Sequence, residues 1–181
     1  GFMPTTSQIN HQTYFQYFEP VLQAGKDILY VAFSSGLSGT YQAALLAVEE
    51  LRQKYPARKI ACIDSLCASI GEGLLVYAAS LLWKRGLTLE ELERWVLQNR
   101  NRVGHWFTVD DLNHLRRGGR ISPVVAVAGT ALGIKPVLTV DEAGCLVTAY
   151  NVRGRTKAMA SLLERLAQGA VTPKKQPAVT G

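Results

Sequence analysis

Two short apolar runs, DILYVAF (27–33) and KIACID (59–64), are rich in β-branched and aromatic residues and lie about one helix apart. Neither alternates polar and apolar positions, so each reads as a strand covered on both faces, as in a parallel sheet. Between them Tyr41, Ala44, Leu45, Val48 and Leu51 recur at three- and four-residue steps, the apolar stripe of a helix that Pro56 ends. A further mostly apolar helix follows at 71–85, closed by Gly86, and an earlier one is expected over 10–24, closed by Gly25 and capped by Thr6 or Ser7. Strand, helix, strand, helix with crossovers of this length implies a parallel α/β unit with right-handed connections.

The pattern changes after Thr88. TLEELERWVLQNRN opens with Thr88 and Glu91 at capping-box spacing. HWFTVDDL (105–112) reads as a strand running into a turn, and NHLRRGGRIS as a short basic helix closed by Gly118 and Gly119. PVVAVAGTALG is a small-residue helix with Pro123 in its first turn. IKPVLTVDEAGCLVTAYNVRG is a hairpin turning at 141–144. RTKAMASLLERLAQ is an amphipathic helix expected to turn Met159, Leu162, Leu163 and Leu166 inward. The expected organisation is an α/β unit over 1–87, a smaller α+β unit over 88–170 and a frayed tail over 171–181.

Composition removes several function classes. Hydrophobic residues make up 48% of the 181 residues, enough for a core. The longest apolar run, 74–83, is too short for a bilayer span and contains Ser80. The start, GFMPTTSQ, has neither the basic nor the apolar region of a signal peptide. Cys62, Cys67 and Cys145 lack CxxC spacing and fit free thiols in a reducing cytoplasm, with no metal site. The formal net charge is +6, gathered at Arg116, Arg117 and Arg120, then Lys135, then Arg153, Arg155 and Lys157. No aromatic pair separates these residues to stack bases, so an anionic ligand or an acidic protein fits better than nucleic acid.

The chemistry is concentrated where the first strand hands over to the next helix, in SSGLSGT (34–40). In a parallel sheet that handover lies at the carboxyl edge, where ligands bind. The first amides of a helix lack internal partners and carry partial positive charge. Gly36 and Gly39 allow close backbone approach, and Ser34, Ser35, Ser38 and Thr40 add hydroxyls. A capped helix without ligand remains compatible with these residues. A nucleotide-hydrolysing loop does not, because GxxxxGK[ST] is absent. A serine esterase using Ser38 would need GxSxG, and 36–40 misses its last position; His11, His105 and His114 show no triad spacing. A second hydroxyl-rich segment, PTTSQ, precedes the first helix, and two such segments can converge on one carboxylate.

Taken in order, PTTSQ, SSGLSGTYQ, the pair Asp64-Ser65, VDDLNHLRRGGRIS, GIKPVL and VRGRTKA closely resemble the DegV family of bacterial fatty-acid-binding proteins, which includes the FakB subunits of fatty acid kinase. The resemblance spans 4 to about 167. It implies a two-domain fold with a long-chain fatty acid buried between the domains. It also implies that the carboxylate is held by Thr6 and Ser38, with Ser7, Ser34 and Gly39 as neighbours. On this resemblance the protein is a cytoplasmic carrier and not an enzyme, works without a cofactor, and presents the carboxylate to a separate ATP-dependent kinase. Arg120, Arg153 and Arg155 match residues that dock that kinase. The apolar stretches 74–82 and 124–132 are then expected to wall the acyl tunnel. The family pattern also has an Asp-Ser strand before TTSQ and a histidine-bearing segment after the last helix, both expected to be missing here.

Overall fold

A computed structural model of the chain describes residues 6–121 and 133–169. The expected helix at 123–133 and the tail at 171–181 lie outside these, apart from Gly133. Contacts divide the chain into two compact units that meet at 103/104.

The first unit is a three-layer sandwich around two parallel strands, β1 (Ile28–Ala32) and β2 (Ile60–Asp64). Ile28 pairs with Ile60 and Ala32 with Asp64. Alternation along the strands divides the core. On one face Ile28 and Ile60 pack with Leu22 of α1 (His11–Gln23) and with Val48 and Leu51 of α2 (Thr40–Lys54). On the other, Val31 and Ile63 pack with Leu75 and Ala79 of α3 (Ser69–Lys84) and with Val96 of α4 (Leu89–Asn99). Each strand is therefore covered twice, which is why the apolar runs show no alternation.

Helix α1 is capped by Asn10 rather than by Thr6 or Ser7: the Asn10 side chain accepts the Thr13 amide at 2.9 Å. Helix α4 belongs to the first unit, whereas the sequence boundary at 87/88 assigned it to the second. Leu92 and Val96 are buried, and Val96 sits in the β1–β2 core, so the apolar stripe outweighs the change in composition after Gly86. Its capping box is complete. Thr88 Oγ1 accepts the Glu91 amide at 3.3 Å, and the Thr88 amide donates to Glu91 Oε2 at 2.8 Å. Thr88→Ala is expected to cost about 1 kcal/mol, read as a shift in the urea midpoint of the first unit.

The second unit is an antiparallel sheet in the order β3 (Trp106–Thr108), β4 (Ile134–Val140), β5 (Leu146–Arg153). The expected 105–112 strand is thus only three residues long, and the short helix α5 (Asn113–Arg117) follows it. The hairpin turn is built as anticipated, with Gly144 at φ +77° donating to the Asp141 carbonyl. Pro136 sits in the central strand beside a register shift at Val137/Leu138, an irregularity that lets a residue without an amide hydrogen be placed there. Leu112, Ile121 and Leu138 form the core.

Helix α6 (Arg155–Gly169) packs on all three strands, and of the four residues expected inward only Leu162 is half-buried. Ala158 is fully buried, whereas Met159, Leu163 and Leu166 are 48%, 68% and 50% exposed. The small Ala158 admits the helix backbone close to the sheet. Arg165 lies 5.1 Å from the Trp106 ring and 5.0 Å from the Tyr150 ring, covering both with its guanidinium. The sheet therefore selects the 158–165 face over the more hydrophobic one.

Candidate functional site

The loop after β1 and the loop after β2 leave the carboxyl edge side by side and are bonded to one another. The Ser34 amide donates to the Cys67 carbonyl at 3.0 Å, and the Ser65 amide to the Ala32 carbonyl at 3.1 Å. Asp64 Oδ1 accepts the amides of Ser35 at 3.1 Å and Leu66 at 3.0 Å. Ser65 Oγ accepts the Cys67 amide at 3.0 Å. From α4, Arg100 Nη1 donates to the Asp64 carbonyl at 2.8 Å.

The amides of 36–38 are consumed by the loop itself. Leu37 and Ser38 both donate to the Ser34 carbonyl at 3.1 Å, and the Gly36 amide donates to Ser34 Oγ at 3.2 Å. Ser34 is fully buried and braces the loop from beneath. The Gly36, Leu37 and Ser38 amides thus do not form the open nest read from the glycines of this loop. Ser38 Oγ and Thr40 Oγ1 are 2.7 Å apart, and Ser38 Oγ also accepts the Thr40 amide at 3.2 Å. Whichever hydroxyl donates within the pair, the other keeps a proton for a third atom. That donor stands at the start of the fifteen-residue α2, whose first turn holds no acidic residue to offset the positive end of the helix.

The second hydroxyl segment reaches the same place. The Gln8 side-chain oxygen lies where a side chain at Gly39 would begin, with Gln8 Cδ 3.1 Å from that point. Only a glycine at 39 admits this approach. TTSQ and SGLSG thus meet through Gln8 and Gly39, and Thr6 and Ser7, two and one residues earlier, are exposed. Gln8, Asp64 and Arg100 were not assigned roles from sequence. The Asp64-Ser65 pair stood out only as a motif, and Arg100 lies 36 residues from Asp64 with no spacing to betray the contact.

Behind this edge the titratable groups are desolvated. Tyr14 and Tyr30 share a 2.9 Å hydroxyl contact, and burial pushes both above the usual phenol range. Burial also pushes the Cys62 and Cys67 thiols up to about 11. Glu72, in the first turn of α3, is raised by burial although that turn favours an anion. The folded state therefore binds this proton more tightly than the unfolded state, and the charged carboxylate is a burden only above the ordinary carboxylate range. Glu72→Gln is expected to raise the melting temperature at neutral pH, with the gain vanishing below about pH 4.

A groove of about 420 Å³ lies elsewhere, at the amino end of β2, lined by Arg52, Lys59, Ile60, Glu90 and Glu93. Its cations are engaged: Lys59 pairs with Glu90, and Arg52 donates to the Ile60 carbonyl at 2.7 Å. In the second unit Asp110 holds Lys135 at 3.0 Å and Arg155 at 2.8 Å. Arg153 is exposed, and Arg120 Nη1 donates to the Gly118 carbonyl. Of the three expected docking arginines, Arg155 is thus tied into an ion-pair cluster. Among the described residues no helix is long and apolar enough to cross a membrane, and no group of three or more His, Cys, Asp or Glu is placed to hold a metal ion.

A family model described as an uncharacterised protein of the DegV family matches residues 1–181. A DegV domain-containing protein of Clostridium perfringens is 46% identical over 176 residues, covering 97% of this chain and 60% of the relative. The chain superposes on a fatty-acid-binding DegV family protein of Thermus thermophilus with a TM-score of 0.82 and 34% identity, covering 94% of this chain and 59% of that one. The Streptococcus pneumoniae Fatty Acid Kinase (Fak) B3 protein loaded with linoleic acid aligns with a TM-score of 0.81 and 26% identity, covering 90% and 56%. The chain spans about 60% of the length of the relatives it matches. With a parallel β1–β2 unit, a β3–β4–β5 antiparallel unit and these matches, the chain belongs to the DegV family.

Proposed function

We propose that this chain binds a long-chain fatty acid by its carboxylate and presents that carboxylate to a separate fatty acid kinase. The observation that carries the reading is the Ser38–Thr40 hydroxyl pair at the start of α2, with Gln8 of the second hydroxyl segment against the intervening Gly39. A carboxylate is an acceptor with two oxygens, and the spare hydroxyl proton together with the exposed Thr6 and Ser7 hydroxyls supply donors of matching chemistry. The positive end of α2 adds charge complementarity. Transfer of the acyl chain from water contributes roughly 0.8 kcal/mol per buried CH₂, so tail burial supplies affinity and the hydroxyls select for the acid. The fatty-acid-binding relatives support the first half of the proposal, and the pneumococcal kinase-component relative supports the second. Arg120, Arg153 and Arg155 are the proposed kinase contacts, on a cytoplasmic, non-enzymatic subunit that needs no cofactor.

The contacts of Ser38 Oγ are local, to the Thr40 hydroxyl and amide, whereas an esterase would need it beside a base. Protein purified under native conditions and then denatured should release a long-chain fatty acid to mass spectrometry. Added with ATP to a fatty acid kinase catalytic subunit, the loaded protein should yield an acyl-phosphate. Absence of lipid, or ester hydrolysis that disappears in Ser38→Ala, would overturn the carrier reading.

A further inference from the structure

Three segments that shape the carboxyl edge converge on Asp64, which is 8% exposed. One carboxylate oxygen accepts an amide from the β1–α2 loop, at Ser35, and an amide from its own loop, at Leu66. The Asp64 carbonyl is held by Arg100 from the end of α4. The local backbone is one that leucine and serine avoid: Leu66 has φ +53° and Ser69 has φ +50°. Such conformations persist where surrounding bonds over-determine them and cluster at ligand-binding sites. Here the Leu66 amide is fixed by Asp64 and the Cys67 amide by Ser65 Oγ, so the Asp-Ser pair holds the strained turn. The turn in turn holds the Ser34 amide through the Cys67 carbonyl. The path from Asp64 to Ser38 is then short. Asp64 fixes Ser35, Cys67 fixes Ser34, and the Ser34 carbonyl carries the Ser38 amide.

We propose that Asp64, clamped by Arg100, is a positioning residue for head-group selection: its carboxylate sets the shape of 34–38 and so aims the Ser38 hydroxyl at the acid. Asp64 need not touch the ligand. An oxygen that accepts two amides is what the position requires, so asparagine, oriented with its oxygen inward, can replace it and alanine cannot. The inference rests on the reading that Ser38 meets a carboxylate, and its test separates the two.

The full chain, stripped of lipid, is titrated with oleic acid and with oleyl alcohol, each displacing a fluorescent acyl probe. The quantity read is the acid-to-alcohol affinity ratio. Loss of packing or of the acyl site weakens both ligands alike, whereas misaiming Ser38 weakens the acid alone. The wild type is expected to prefer the acid, Asp64→Asn to keep that preference, and Asp64→Ala to lose about tenfold of it. Arg100→Ala is the second variant, with a smaller loss of the same ratio, and it decides the matter if Asp64→Ala does not fold. An unchanged ratio in Asp64→Ala, or in Arg100→Ala where the other fails to fold, overturns the role of Asp64 and leaves the carboxylate site standing. A wild type without preference for the acid overturns the carboxylate site, and the inference with it.

Discussion

Leu51→Ala is expected to destabilise the first unit by about 3 kcal/mol. Leu51 is fully buried and sits with Leu22, Ile28, Val48 and Ile60 at the junction of α1, α2 and both strands. Phe15, Phe18 and Tyr55 close the cluster from its rim. Truncation removes the transfer energy of the lost methyl and methylene groups. It also leaves a cavity, because aromatic rings anchored in two elements cannot all move inward. Urea unfolding followed by far-ultraviolet circular dichroism measures the loss. A cost below about 1 kcal/mol would mean that the site collapses freely and that the cluster is less tightly packed than its burial indicates.

Ser38→Ala is expected to carry the largest effect on ligand. It removes the Ser38 hydroxyl, the proposed carboxylate donor, and leaves the Thr40 hydroxyl without the partner that orients it. A hydrogen bond to a charged group contributes about 1.5–3 kcal/mol, so affinity for oleic acid should fall roughly ten- to a hundredfold. Thr6→Ala should weaken the same ligand through the other segment. If both hydroxyls grip one carboxylate, the double variant loses less than the sum of the two single losses, because the head group is already released after the first. Strict additivity would place Thr6 and Ser38 on separate targets. The Ser38 change also removes the acceptor of the Thr40 amide, a loss of about 1 kcal/mol of stability, which a melting curve records independently of binding.

The first unit was largely legible in the sequence, because its signals are local. β1 and β2 fall within one residue of the apolar runs, and α2 follows the stripe from Tyr41 to Leu51. Long-range choices were not legible. Thr88 was read correctly as a cap, yet only packing shows that the helix it starts lies against Val31 and Ile63. Helix α6 offers two apolar faces, and the choice between Ala158 and Leu163 is made by the ring pair under Arg165, on strands distant in sequence. At the site, glycines and hydroxyls marked the 34–40 loop as a candidate. They did not reveal that the loop spends its own amides on Ser34, or that Asp64 and Gln8 hold it from either side. Those are tertiary contacts between loops, and no periodicity encodes them.

The desolvated sulfurs of Cys62 and Cys67 have a consequence for chemical reactivity. With both thiols pushed up to about 11, almost no thiolate exists at either near neutrality, so alkylating reagents find these two sulfurs unreactive in the folded molecule. Modification then proceeds only when the edge carrying them opens. Because the Cys67 carbonyl and amide lie within the loops that frame Ser38, trapping of the Cys67 sulfur by iodoacetamide becomes a clock for that opening. A bound acyl ligand should slow the clock in proportion to how firmly it closes the edge.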